Sequence, residues 1–155
     1  MIDAPEIVET TPKPLAIIAI QTPLDGMRAA IGAGLQELFP TLAAQGITPI
    51  GPWFTHHLKC PDQDGFDFEM CIETATPVCP SGRIKPGTWP AMRVARTIHH
   101  GAYEGLQEAW GEFHAWLDAN EVKTAEDLWE VYLVNPDNAG DPADYRTQLN
   151  REIPI

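Results

Sequence analysis

The sequence predicts an α+β fold: two β-α-β-β units paired into a twisted antiparallel, barrel-like sheet with two main helices and a cleft between the repeats. Three observations lead there. Short apolar or alternating runs are bounded by Pro and Gly. Two longer stretches carry helical spacing instead. The order of these elements occurs twice along the chain, as duplication of a supersecondary unit would give.

Leu15–Gln21 (LAIIAIQ) is apolar and rich in β-branched residues, so it reads as a buried strand. Asp25–Gln45 reads as a helix with Asp25 as N-cap, and Met27, Ile31, Leu35, Leu38 and Leu42 fall at helical spacing. Gly46 suits the residue after its end, and Pro40 should kink or split it. Pro52–Lys59 and Phe66–Thr74 alternate like antiparallel strands joined by the turn-rich CPDQDG. Residues 75–90 form a Pro/Gly-rich connector. Ala91–His99 then reads as a strand and Tyr103–Asn120 as a helix with Leu106, Trp110, Phe113 and Leu117 on one face. Asp127–Val134 and Tyr145–Ile153 are strands on either side of the loop Asn135–Pro142. The second strand of each unit precedes a Pro-Asp loop, Pro61-Asp62 and Pro136-Asp137, and each loop leads to Asp-aromatic, Asp67-Phe68 and Asp144-Tyr145. The chain is thus expected to be one domain, 1–155, with a first repeat over about 12–75, a connector over 76–90 and a second repeat over about 91–155.

Charge and composition narrow the function. Ten Lys and Arg stand against 22 Asp and Glu, a formal charge of −12. Such a chain repels phosphate backbones and anionic membranes, so direct nucleic-acid or membrane partners are not expected. A cationic ligand gains some steering. No basic n-region precedes an apolar stretch at the start, and Leu15–Ile20 is too short to cross a bilayer, so a cytoplasmic setting is expected. Three cysteines, Cys60, Cys71 and Cys79, without CxxC spacing fit reduced thiols better than a Cys60–Cys79 disulfide. No HExxH, GxSxG, Walker A or GxGxxG motif occurs, and adjacent histidines on a strand (His56-His57, His99-His100) point opposite ways. Neither a metal nor another cofactor is expected.

The strand Leu128–Val134 carries the main candidate. Trp129, Val131 and Leu133 share an apolar face that suits packing against a helix, while Leu128, Glu130 and Tyr132 share the other. A carboxylate buried among aromatic residues is costly unless a cation or hydrogen-bond donors meet it. Glu130 therefore reads either as a solvated glutamate, the rule for carboxylates, or as the acidic floor of a ligand site. By the repeat, Phe54, His56 and Leu58 should face the same cleft, with Trp53 against its helix as Trp129 is. Aromatic walls around one acid suit flat lipophilic cations. Phe54 alone would read as core. Trp89 reads as a gate or a core anchor, and Tyr103 as a lid or a helix-end packing residue. Cys71 reads as a small buried hydrophobe, His114 as a helix-surface residue, and Arg83, Lys85, Arg93 and Arg96 as salt-bridge partners.

The runs RVARTIHHGAYEGLQEAWGEFHAWL (Arg93–Leu117), LWEVYLVNP (Leu128–Pro136) and DYRTQLNREIPI (Asp144–Ile155) resemble the GyrI-like family, the effector-binding domains of AraC- and MerR-type multidrug regulators. The likeness is strongest over 88–155 and rests on His-Gly-x-Tyr-Glu at His100–Glu104 together with Glu-x-Tyr at Glu130–Tyr132. It implies a central pocket in which a glutamate at Glu130 meets cationic or polar ligands within an aromatic cage, with Tyr132 beside it and Phe54, His56, Trp89 and Tyr103 around it. Family members often carry an acid where this chain has Gln148. No helix-turn-helix is evident, so the chain resembles a stand-alone member. The expected function is binding of a small hydrophobic, cationic or polarised molecule. Two alternatives stand beside it. Some stand-alone relatives are similar to hydrolases that open strained cyclopropanes, which would make Glu130 and Tyr132 catalytic, and a protein-binding inhibitor module is the other.

Overall fold

The computed structural model describes residues 2–58, 65–135 and 140–154. The strands are β1 (Glu6–Glu9), β2 (Lys13–Thr22), β3 (Pro49–His57), β4 (Phe66–Thr74), β5 (Ile84–Trp89), β6 (Arg93–His100), β7 (Leu128–Val134) and β8 (Arg146–Ile153). Two α-helices, α1 (Met27–Ala44) and α2 (Leu106–Ala119), interrupt them. The chain divides into two compact units, Thr11–Ala91 and Met1–Thr10 with Met92–Ile155. The Pro-Asp loops and Cys60 lie outside the described residues.

In the unit Thr11–Ala91 the antiparallel order is β3-β4-β2-β5. β2 is central because LAIIAI is buried along nearly its whole length. Helix α1 packs on the face carrying Ile20 and Met70, whose side chains touch Gly34. The helix buries Leu38 and Leu42 as its spacing predicts. It differs from expectation at both ends. Asp25 lies in a 3₁₀ turn, Leu24–Gly26, and Gly26 is the N-cap with no side-chain bond. Pro40 does not split the helix, which continues to Ala44; the exposed ring sits within the last turns, where few following bonds are at stake. Gly46 follows with φ +68°, the left-handed conformation that ends a helix without a Cβ clash.

In the other unit the order is β1-β6-β8-β7, again antiparallel. Helix α2 lies on the face carrying Ala95 and Leu149, which pack with Ala109, Phe113 and Leu117. A 3₁₀ turn, Tyr103–Gly105, leads into it. The α+β class and the antiparallel strands expected from the sequence are present in both units, and among the described residues the strands form an open sheet. The connector 75–90 carries β5, and β1 precedes the first repeat; both strands were missed by the sequence reading. Among the described residues, no helix is long and apolar enough to cross a membrane.

Candidate functional site

Glu130 sits in the middle of β7, directly across from Leu149. Directly opposed residues on paired strands project to the same face. Leu149 packs against α2, so Glu130 faces the helix, with Leu128 and Tyr132. This corrects the expectation that Trp129, Val131 and Leu133 take that face. Both faces of β7 carry large apolar side chains, so hydrophobicity within the strand does not choose between them. The choice is made on β8, where Thr147, Leu149 and Arg151 turn to the helix and Gln148 and Asn150 turn away.

Helix α2 then supplies Trp110, whose indole Nε1 donates to Glu130 Oε2 at 2.7 Å. Tyr132, two residues along the strand and on the same face, donates its hydroxyl to Oε1 at 2.8 Å. Glu130 is 8% exposed and Tyr132 5%. The carboxylate is thus a buried acceptor fixed by two aromatic donors from two elements, not a solvated surface group. Tyr103, from the turn before α2, packs edge-on against Tyr132 at 5.8 Å and tilted against Tyr145 at 5.1 Å. Beyond Trp110 the aromatic surface continues to Phe113 and His114, at 5.8 and 5.6 Å.

His114 is half-buried, which corrects its placement on the helix surface. Its Nε2 lies 2.6 Å from Arg151 Nη1. A guanidinium can only donate, so Nε2 accepts and the ring proton sits on Nδ1. Burial, and secondly the Arg151 charge, hold His114 below the ordinary histidine value.

The remaining candidates lie in the other unit. Phe54 and Trp89 meet edge-on at 5.1 Å, and both are buried. His56 lies across from Glu69, with Nδ1 at 3.4 Å from Oε1, and Lys85 reaches the same carboxylate at 3.7 Å. The His56 hydrogen bond, outweighing burial, holds Glu69 below the ordinary carboxylate value. Phe54 opposes Cys71 and His56 opposes Glu69, whereas α1 packs on the Met70 face. Phe54 and His56 therefore point away from their helix, while Glu130 and Tyr132 point toward theirs. Equating Asp67-Phe68 with Asp144-Tyr145 makes Met70 the counterpart of Thr147, and their cross-strand partners are Thr55 and Tyr132. In that alignment Thr55, rather than His56, takes the position of Tyr132.

Structure brings Glu130, Tyr132 and Tyr103 together in one unit and Phe54, His56 and Trp89 together in the other. Sequence reasoning placed Trp110 on the right helix face but not beside Glu130; the missed signal was an indole on the helix stripe, which needs a buried acceptor. Gln148, opposite Val131, lies on the face away from Glu130 and accepts from Asn150 Nδ2 at 3.2 Å. The four basic residues find separate partners: Arg83 with Glu37, Lys85 with Glu69, Arg93 with Glu9, and Arg96 with Asn150. Cys71 is buried, and burial pushes its thiol well above the ordinary value, against a nucleophilic role. Among the described residues no three His, Cys, Asp or Glu side chains gather as a metal site.

Known structures share this architecture. The crystal structure of the EcmrR C-terminal domain matches with a TM-score of 0.81 at 18% identity, over 97% of each chain. EcmrR in its DNA complex matches with 0.79 at 19% identity; 98% of this chain is covered but only 58% of that one, so this chain spans little more than half of it. SAV2435 bound to tetraphenylphosphonium matches with 0.61 at 13% identity, over 98% of this chain and 94% of that one. A hydrolase from Listeria innocua matches with 0.66 at 14% identity, over 95% and 90%. No curated protein sequence matches the chain. Residues 3–150 match the family described as the GyrI-like small molecule binding domain.

Proposed function

The chain belongs to the GyrI-like small-molecule-binding domain family, and we propose that its ligand is a hydrophobic cation held against Glu130, with the rings of Trp110, Tyr132 and Tyr103 beside it. The observation that carries this reading is the buried Glu130 carboxylate with two aromatic N–H and O–H donors. A cation placed against the same group gains Coulomb energy at low dielectric and adds contact with the ring faces. That tetraphenylphosphonium occupies a structural neighbour supports the choice of probe. Titration calorimetry with tetraphenylphosphonium, on wild type and Glu130→Gln, tests the reading. Equal affinity for both proteins would remove Glu130 from the site.

A second reading rests on the Tyr132–Glu130 hydrogen bond, which pairs a carboxylate base with a phenol acid. In a hydrolase of strained, lipophilic electrophiles, Glu130 would take a proton from water as its oxygen bonds to one ring carbon, Tyr132 would protonate the carbon released by the broken C–C bond, and the proton on Glu130 would pass back to the phenolate along their hydrogen bond. Mass spectrometry of an electrophilic cyclopropane compound incubated with the protein decides it. A water adduct formed by wild type and not by Glu130→Gln supports the enzyme, and intact compound excludes it for that substrate.

A further inference from the structure

Beside Glu130, two buried polar atoms on the same face have no hydrogen-bond partner among the described residues: Thr147 Oγ1 and His99 Nδ1. Thr147 is 0% exposed and His99 3%. The two are directly opposed across β6 and β8, and Thr147 is in turn opposed to Tyr132 across β8 and β7. His99, Thr147 and Tyr132 thus form one row across three strands on the helix side. The row containing Glu130 and Leu149 is the next one along. Buried polar groups are nearly always bonded, and leaving one unmet is destabilising. Two such groups side by side call for a shared guest.

Their chemistry says what the guest is. His99 Nε2 lies 3.1 Å from the carbonyl oxygen of Ala102. That carbonyl accepts, so Nε2 carries a hydrogen and, in the neutral ring, Nδ1 presents a lone pair. Thr147 offers a hydroxyl that can donate. Nδ1 only accepts, so a group set between them must donate to it, while Thr147 can donate to that group in turn. A hydroxyl takes both bonds at once, whereas a carbonyl or an ether cannot donate. We propose that Thr147 and His99 form a second, hydroxyl-binding end of the ligand site. They would receive an alcohol or phenol of a ligand whose cationic part lies against Glu130; the proposal rests on the reading above. Two residues of strand rise and one strand spacing put Thr147 roughly 8 Å from Glu130. That separation suits the two ends of one small aromatic molecule. Ala102 bonds His99 and Tyr103 packs on Tyr132, so residues 102–103 bridge the row above Thr147.

The test compares tetraphenylphosphonium with para-hydroxyphenyl triphenylphosphonium, which differs by one hydroxyl, on wild type, Thr147→Val and Thr147→Ser. Wild type is expected to bind the hydroxyl-bearing probe about tenfold more tightly. Thr147→Val is nearly isosteric and should shrink the preference for the hydroxyl-bearing probe, since only His99 then meets the hydroxyl. Thr147→Ser should restore the preference. Thr147→Val should also melt no lower than wild type, since its hydroxyl has no bond to lose. No preference in wild type, or an equal loss for both probes in Thr147→Val, overturns the proposal while leaving Glu130 in its role. A clear drop in melting temperature in Thr147→Val also overturns it, because a resident water would then hold the hydroxyl in the free protein. If neither probe binds wild type, the cation-binding reading fails and takes this one with it.

Discussion

Trp110 and Glu130 stand 20 residues apart in sequence and are joined by a 2.7 Å hydrogen bond that ties helix α2 to the centre of β7. The bond holds the carboxylate in one position, so the ligand proposed above would meet a pre-formed acceptor.

From this follows the effect of Glu130→Gln. The amide keeps an acceptor for one donor and loses the charge. Affinity for tetraphenylphosphonium should fall by about 1–3 kcal/mol, with a neutral aromatic ligand little affected. Titration calorimetry of both ligands separates loss of charge from loss of shape.

Trp110→Phe and Tyr132→Phe each remove one donor to the carboxylate. Each should destabilise the fold by about 1–3 kcal/mol, the usual result of leaving a buried charged acceptor short of a partner. In urea denaturation, each change combined with Glu130→Gln should cost less than the sum of the two, because the partners share one network. Additive losses would place the two rings outside that network.

Acid should act on stability in two stages. His114 is a base held below its ordinary value, so the unfolded chain takes up its proton first. Its contribution is complete above about pH 6.5 and is lost as pH falls from there toward the folded value. Glu69 is an acid held below its ordinary value; its contribution is present above about pH 4.5 and lost as pH falls through the folded value. His114→Gln, which keeps an acceptor for Arg151, should flatten the first stage and leave the second. Urea midpoints measured at a series of pH values check both.

Two glycines should respond in opposite directions to alanine. Gly65 has φ +117°, and a Cβ there would lie 2.2 Å from the backbone oxygen of Thr22, which cannot move aside. Gly65→Ala should destabilise by about 2–4 kcal/mol. Gly32, within α1, has open space around a built Cβ, so Gly32→Ala should stabilise by about 0.5–1 kcal/mol. Thermal melts of the two variants give the signs.

Elements with an unambiguous period were legible in the sequence: β2, both helices, and the β3–β4 and β7–β8 pairs. Strands β1 and β5 were not. EIVE is only four residues long, between Pro5 and a run of Thr and Pro. IKPGTW reads as a turn because Pro86 and Gly87 lie within it. Proline is tolerated there because β5 pairs on one side only, with β2, so one missing N–H breaks no central ladder. The acid of the candidate site was legible as one carboxylate in an aromatic strand. Its facing was not, since β7 is apolar on both sides and the facing is fixed by β8. Nor did spacing reveal Trp110, His99 or Thr147 as neighbours of Glu130, because those contacts depend on register and on the helix seated over the sheet.

In the proposed site, the pair of aromatic donors on Glu130 would also act as an internal competitor. A newcomer that engages the carboxylate must do so alongside, or in place of, two short bonds that cost nothing to keep. Weakly polar molecules lose that contest however well their rings fit. The protein's own indole and phenol thus set a threshold, and recognition becomes a question of how strongly a visitor is charged as much as of how greasy it is.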